Sequence, residues 1–135
     1  MKVERLAIPD VLLIEPARHG DERGFFSEVW SRRALAAHGI DPDFVQDNHA
    51  ASAQAGVLRG LHFQRPPSAQ GKLIRVARGA ILDVAVDIRQ GSPTYGHHVA
   101  ELLSGANWRQ MWVPRGFAHG YLTLEPDTEV QYKTD

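Results

Sequence analysis

Residues 72–88 read KLIRVARGAILDVAVDI, two β-rich runs, Lys72 to Arg78 and Ala80 to Ile88, parted by the single glycine at position 79. Val and Ile branch at Cβ and fit a pleated surface, and glycine punctuates strands. In the second run Leu82, Val84, Val86 and Ile88 share one parity while Asp83, Ala85 and Asp87 share the other. That two-residue alternation marks a half-buried strand, and its acidic face need not be catalytic. Five more runs of the same character flank the pair: VLRGLHFQ before it, and HHVAELL, QMWVP, HGYLTL and EVQYK after it. Gly, Pro, Asn and Asp separate them. Short strands leave edges that must be paired or covered, and closure into a barrel with a ligand-holding mouth is one common answer. An all-β barrel or sandwich is therefore expected. One short helix near residues 31–39 stands against this background, with Ser31 as N-cap, Ala and Leu within Arg32 to His38, and Gly39 to end it.

The 135 residues are 43% hydrophobic and 23% charged, with a formal net charge of −1, which reads as one ordinary globular domain over 1–135. Nothing in the balance calls for a nucleic acid or a membrane as partner. The longest apolar run near the start, Val11 to Ile14, is far short of the roughly 20 residues a spanning helix needs. Glu4, Arg5 and Pro9 interrupt what would have to be the apolar core of a signal peptide, so a cytoplasmic location is expected. Cysteine is absent, which excludes thiolate nucleophiles and Cys-based zinc sites and leaves catalysis to His, carboxylates, Lys, Arg or Tyr.

Gln46 to Lys72 is the densest stretch for chemistry. Arg59, His62 and Lys72 are the ingredients for removing a proton from carbon next to a ketone. Histidine supplies a base near neutrality without a large shift, and Lys72 or Arg59 could stabilise the enolate oxygen. The same residues also read as a core histidine and a solvated lysine. Arg59 and His62 are three apart and face opposite sides of a regular strand, but a bulge at Gly60 would turn both toward one cavity. His119 follows the turn residues Pro114 and Gly116 and reads as a structural or a site histidine. Tyr132 lies at strand period from Val130 and is either core packing or a proton donor. Arg23 suits phosphate and the neighbouring Phe residues suit a nucleobase, although DERGFFSEVW is equally an amphipathic strand with a charged face.

DERGFFSEVW, QDNHAAS, GVLRGLHFQRPPSAQGKLIRV, DVAVDIRQGSPTYG, VPRGFAHGYL and VQYK, in this order, resemble the dTDP-4-dehydrorhamnose 3,5-epimerases, which make the rhamnose precursor of bacterial surface polysaccharides. The resemblance covers nearly the whole chain from Asp21. It implies a cupin-type jelly-roll barrel, no cofactor and no metal, and a dTDP-linked 4-keto-6-deoxysugar as substrate. It makes His62 the base that removes the proton beside the ketone, Tyr132 the acid that returns one from the opposite face, and Lys72 the group at the ketone oxygen. Arg23, Arg59 and His119 would hold the diphosphate and nearby sugar. Glu28, Gln46, Asp47 and Asn48 would border nucleotide and sugar, and Phe26 would stack on thymine. It also implies a homodimer in which the N-terminal strand reaches into the neighbouring subunit. The family pattern continues into a C-terminal segment with another site tyrosine and the aspartate that pairs with the catalytic histidine. Within 1–135, Asp83 is the carboxylate assigned to support His62.

Three other readings share these residues. The metal-binding pattern of related cupins is half present, with Gly56 and His62 correctly spaced. Gln64 replaces its second histidine, and Lys72 stands where a carboxylate ligand is expected, which opposes a dication. An epimerase that inverts carbon 3 alone, and a sugar-nucleotide binding protein without catalysis, would look much the same.

Overall fold

All seven runs with strand character form strands. The computed structural model describes residues 1–135 as β1 (Lys2–Arg5), β2 (Leu12–Glu15), β3 (His19–Asp21), β4 (Gly24–Phe26), α1 (Arg32–Ala36), β5 (Gln46–Ser52), β6 (Leu58–His62), β7 (Lys72–Arg78), β8 (Ala80–Asp87), β9 (His98–Ser104), β10 (Gln110–Val113), β11 (Phe117–Thr123) and β12 (Thr128–Thr134). One sheet has the order β1-β2-β10-β7-β12-β5 and the other β6-β11-β8-β9. Every pairing is antiparallel. The result is an all-β jelly roll whose two sheets are not hydrogen-bonded into a closed ring.

The chain turns the corner between the sheets at Gly79, whose φ is +77°. A Cβ there would lie 2.2 Å from Thr128 Oγ1 and 2.9 Å from Thr128 Cα, so both the backbone angle and the space demand glycine. Between the sheets lies the main core, built from Ile74, Val76, Met111, Val113 and Val130 on one side and Ile81, Leu103, Phe117 and Tyr121 on the other. The outer face of the six-stranded sheet has a second cluster, in which Leu35 of α1 packs with Leu12, Ile14, Ile40 and Leu73 beside Trp30, Phe44 and Trp112. The helix starts as expected, with Ser31 Oγ accepting from Ala34 N, and Gly39 takes a left-handed φ of +79° beyond its end.

β8 places its acidic parity on the inside. Asp83 and Asp87 are fully buried, while Leu82 on the alternate parity is 37% exposed. Burial of a carboxylate is tolerated only where it is paired and hydrogen-bonded. Asp87 satisfies this through five donors: Arg89 N and Nε on one oxygen, and Arg89 Nη2, Ser92 Oγ and Thr94 Oγ1 on the other. The Arg89 guanidinium holds the Asp87 carboxyl far below the usual carboxylate range.

β5 forms from QDNHAAS, a sequence of low strand propensity, because it pairs along its full length with β12. β3 and β4 form a hairpin hydrogen-bonded to neither main sheet. No helix is long and apolar enough to cross a membrane.

Candidate active site

β6 is paired on one side only, with β11, and the pairing is irregular. His62 stands opposite His119 and Arg59 opposite Tyr121, so Gly60 and Leu61 together face the single residue Gly120. This is a bulge, placed where the sequence allows one. Gly60 has φ +106°, and a Cβ on it would lie 2.7 Å from the His119 carbonyl oxygen and 2.8 Å from Gly120 Cα. The bulge removes the parity conflict, and Arg59 and His62 both line the same cleft.

That cleft, about 510 Å³, opens between the sheets. β6 and β11 supply Arg59, His62, His119 and Tyr121, and the six-stranded sheet supplies Lys72, Tyr132 and Ala50. Tyr132 has the parity of Val130 and Thr134, both buried, so strand alternation aims it inward. Lys72 Nζ lies 6.0 Å from the centroid of the Tyr132 ring. Burial pushes the Lys72 ammonium below the usual lysine range, partly offset by the Asp83 charge. Arg59 is braced by its Nη2 donating to the Ala51 carbonyl oxygen at 3.2 Å, with Ser52 Oγ at 3.4 Å. The arrangement brings an imidazole, a phenol and a cation to one hollow, the set needed to move a proton at carbon beside a carbonyl.

Asp83 is not on His62. Its Oδ1 lies 2.7 Å from His119 Nε2, with both residues buried. The register explains this: Tyr121 is opposite Asp83 and His119 opposite Ala85, so His119 and Asp83 are diagonal neighbours on the inner face. Asp83 Oδ2 is buried without a partner. The carboxylate therefore fixes the orientation of His119. Tyr121, which the sequence reasoning missed, also walls the cleft, and burial raises its phenol above the usual range. Its spacing of two from His119 on β11 was the available signal.

The remaining residues fall in two groups. On β5, Asn48 is paired opposite Tyr132 and shares the parity of cleft-lining Ala50, and Gln46 donates to Asn48 Oδ1 at 2.8 Å. Asp47 has the opposite parity and pairs with Lys133 Nζ at 2.9 Å, on a different hollow beside Trp30 and Arg75. Arg23 and Phe26 lie on the β3–β4 hairpin with Glu28 just beyond it, and none of the three lines the cleft. Arg23 pairs with Asp21, and Phe26 is 71% exposed.

Comparison with known proteins matches the chain over nearly its whole length. The family model described as dTDP-4-dehydrorhamnose 3,5-epimerase matches residues 5–135. A protein of that name from Pseudomonas aeruginosa is 57% identical over 135 residues, which are 99% of this chain and 74% of the relative. The crystal structure of the Bacillus anthracis dTDP-4-dehydrorhamnose 3,5-epimerase, with TDP and PPi bound, superposes with a TM-score of 0.97 at 51% identity, covering 99% of this chain and 77% of that one. The Legionella pneumophila dTDP-6-deoxy-D-glucose-3,5-epimerase, in complex with dTDP-4-keto-L-rhamnose, gives a TM-score of 0.93 at 48% identity, covering 98% and 70%. On the strength of this match from Arg5 to the last residue, the chain belongs to the dTDP-4-dehydrorhamnose 3,5-epimerase family.

Proposed function

We propose that the cleft epimerises dTDP-4-dehydro-6-deoxy-D-glucose at carbons 3 and 5, giving dTDP-4-dehydro-L-rhamnose. The observation that carries this reading is the convergence of His62, Lys72 and Tyr132 on one hollow in a chain of this family. His62 takes the proton from carbon beside the ketone, and the electron pair moves onto the ketone oxygen as an enolate. The Lys72 ammonium meets that oxygen. Tyr132 then gives a proton to the opposite face, which inverts the carbon; His62 releases its proton to solvent and Tyr132 takes one from solvent before the same exchange repeats at the second position. Only protons move, so the chemistry requires no redox cofactor.

Arg59 and His119 hold the diphosphate and nearby sugar, His119 being aimed by Asp83, and Gln46 and Asn48 border the ligand. Arg23, Phe26 and Glu28 act on a neighbouring subunit of a homodimer through exchange of the N-terminal arm, with Phe26 stacking on the base. The free-standing hairpin and the exposed Phe26 ring support this arrangement. Asp47, bound to Lys133, keeps a bordering role only if the neighbour brings ligand to that face. Residues 1–135 form one epimerase domain, and a cytoplasmic setting suits a chain without cysteine.

The test is incubation with dTDP-4-dehydro-6-deoxy-D-glucose in deuterium oxide. Deuterium at both carbon 3 and carbon 5, with the rhamno product formed, is the expected result. Deuterium at carbon 3 alone, or tight nucleotide binding with no deuterium at all, overturns the reading.

A further inference from the structure

Tyr121 lines the cleft from β11, and no step assigned above uses it. Its ring belongs to the main core, only 5% of the residue is exposed, and its centroid lies 6.5 Å from that of His119. Core packing explains the ring. It does not explain the hydroxyl, since a phenylalanine would fill the same space without taking a polar atom out of water.

A phenol in such a place ordinarily finds a hydrogen-bond partner. The acceptor that register sets beside it is Asp83, opposite Tyr121 on β8, yet Asp83 gives Oδ1 to His119 and leaves Oδ2 without a partner. The Tyr121 hydroxyl is therefore not spent on Asp83. Nor is it sealed in the core with its hydrogen bond unmade, so its polar tip opens on the cleft that the residue lines.

The surroundings of that tip are rich in donors. Arg59 stands opposite Tyr121 on β6. Its Nε and Nη2 are engaged by Ser52 Oγ and the Ala51 carbonyl oxygen, which braces the guanidinium and leaves Nη1 to a ligand. The Arg59 charge reaches the phenol, where it opposes the upward push of burial. His119, two residues away on the same parity, is held by Asp83. A guanidinium, a phenol and an imidazole thus face one space, and the carboxylate beside them is already engaged. The partner they lack is an acceptor, best one with negative charge. In a dTDP-linked ketosugar the sugar and the base are neutral, and only the diphosphate fits that description.

We propose that the Tyr121 hydroxyl donates a hydrogen bond to the diphosphate of the bound sugar nucleotide, beside Arg59, and so sets affinity without carrying a reacting proton. The inference rests on the sugar-nucleotide reading of the cleft and adds to it a residue outside the set named there.

The test is Tyr121→Phe, which keeps the ring and removes the hydroxyl alone. Calorimetric titration should show dTDP bound about tenfold more weakly than by the parent, the usual loss for one hydrogen bond to a charged group. Thymidine, which has no phosphate, should bind both proteins equally. With the ketosugar, KM should rise about as much as the dTDP dissociation constant while kcat falls less than about threefold. The melting temperature should stay near that of the parent, because the lost hydroxyl has no partner in the protein. Unchanged dTDP affinity overturns the proposal, and so does a loss shared equally by thymidine or a fall confined to kcat. A drop in melting temperature that accompanies the weaker binding would assign the hydroxyl to structure and overturns it too. Equal dTDP affinity with deuterium exchange intact sinks this inference alone, whereas Tyr121-dependent dTDP binding without exchange sinks the epimerase assignment alone.

Discussion

His62→Ala lowers the rate of deuterium entry into the sugar by about 10²- to 10⁴-fold, the usual contribution of a positioned general base. The residue is exposed within the cleft and buries little apolar surface, so its removal should change stability by no more than about 0.5 kcal/mol. Melting temperature is therefore the control, and it should stay near that of the parent. A variant that loses activity and stability together would assign His62 to structure. The bulge gives a companion expectation: any side chain at Gly60 clashes with β11 backbone and should displace Arg59 and His62 together.

Lys72→Met is the second large effect. Removing one preorganised donor to a developing oxyanion costs about 10² to 10³ in kcat, and the loss should appear in kcat more than in KM. The pH dependence follows from the same burial. Desolvation lowers the Lys72 value in the folded chain, with Asp83 opposing it. The ammonium is the useful form, so activity should fall as pH rises through a value below the ordinary lysine figure of about 10.4. Stability moves the other way. Between the lowered folded value and the ordinary one the unfolded chain binds more protons, so stability rises with pH across that window. Lys72→Met should remove this rise and should not lower the melting temperature. A parallel loss of stability and rate would contradict the role given to Lys72.

Much of the architecture was legible because it depends on local pattern. Seven β-rich runs gave seven strands, and Ser31 and Gly39 bracketed the helix. The bulge was legible as well, since a glycine between two chemically loaded residues of opposite parity is where a strand most readily takes in an extra residue. Pairing partners were not. β5 has little intrinsic strand character and is held by β12, which no local pattern reveals. For β8 the alternation was clear, but which parity faced inward depended on hydrogen-bond partners outside the strand that the alternation does not reveal. Asp83 is buried because His119 reaches it from the neighbouring strand β11, and Asp87 because Arg89, Ser92 and Thr94 surround it. The same inversion turned Leu82 outward. The assignment of Asp83 to His62 failed for this reason: register, not sequence distance, decides which histidine a strand carboxylate meets. Residues on the hairpin could be read as ligand-binding types, but their distance from the cleft is a matter of tertiary placement.

In the proposed reaction His62 and Tyr132 address opposite faces of one carbon. Tyr132→Phe in deuterium oxide separates the two halves of that exchange. With the base intact and the second proton donor gone, the substrate should gain deuterium on the face the proton left while no inverted sugar accumulates. Inverted product forming at the parental rate in Tyr132→Phe would contradict the account.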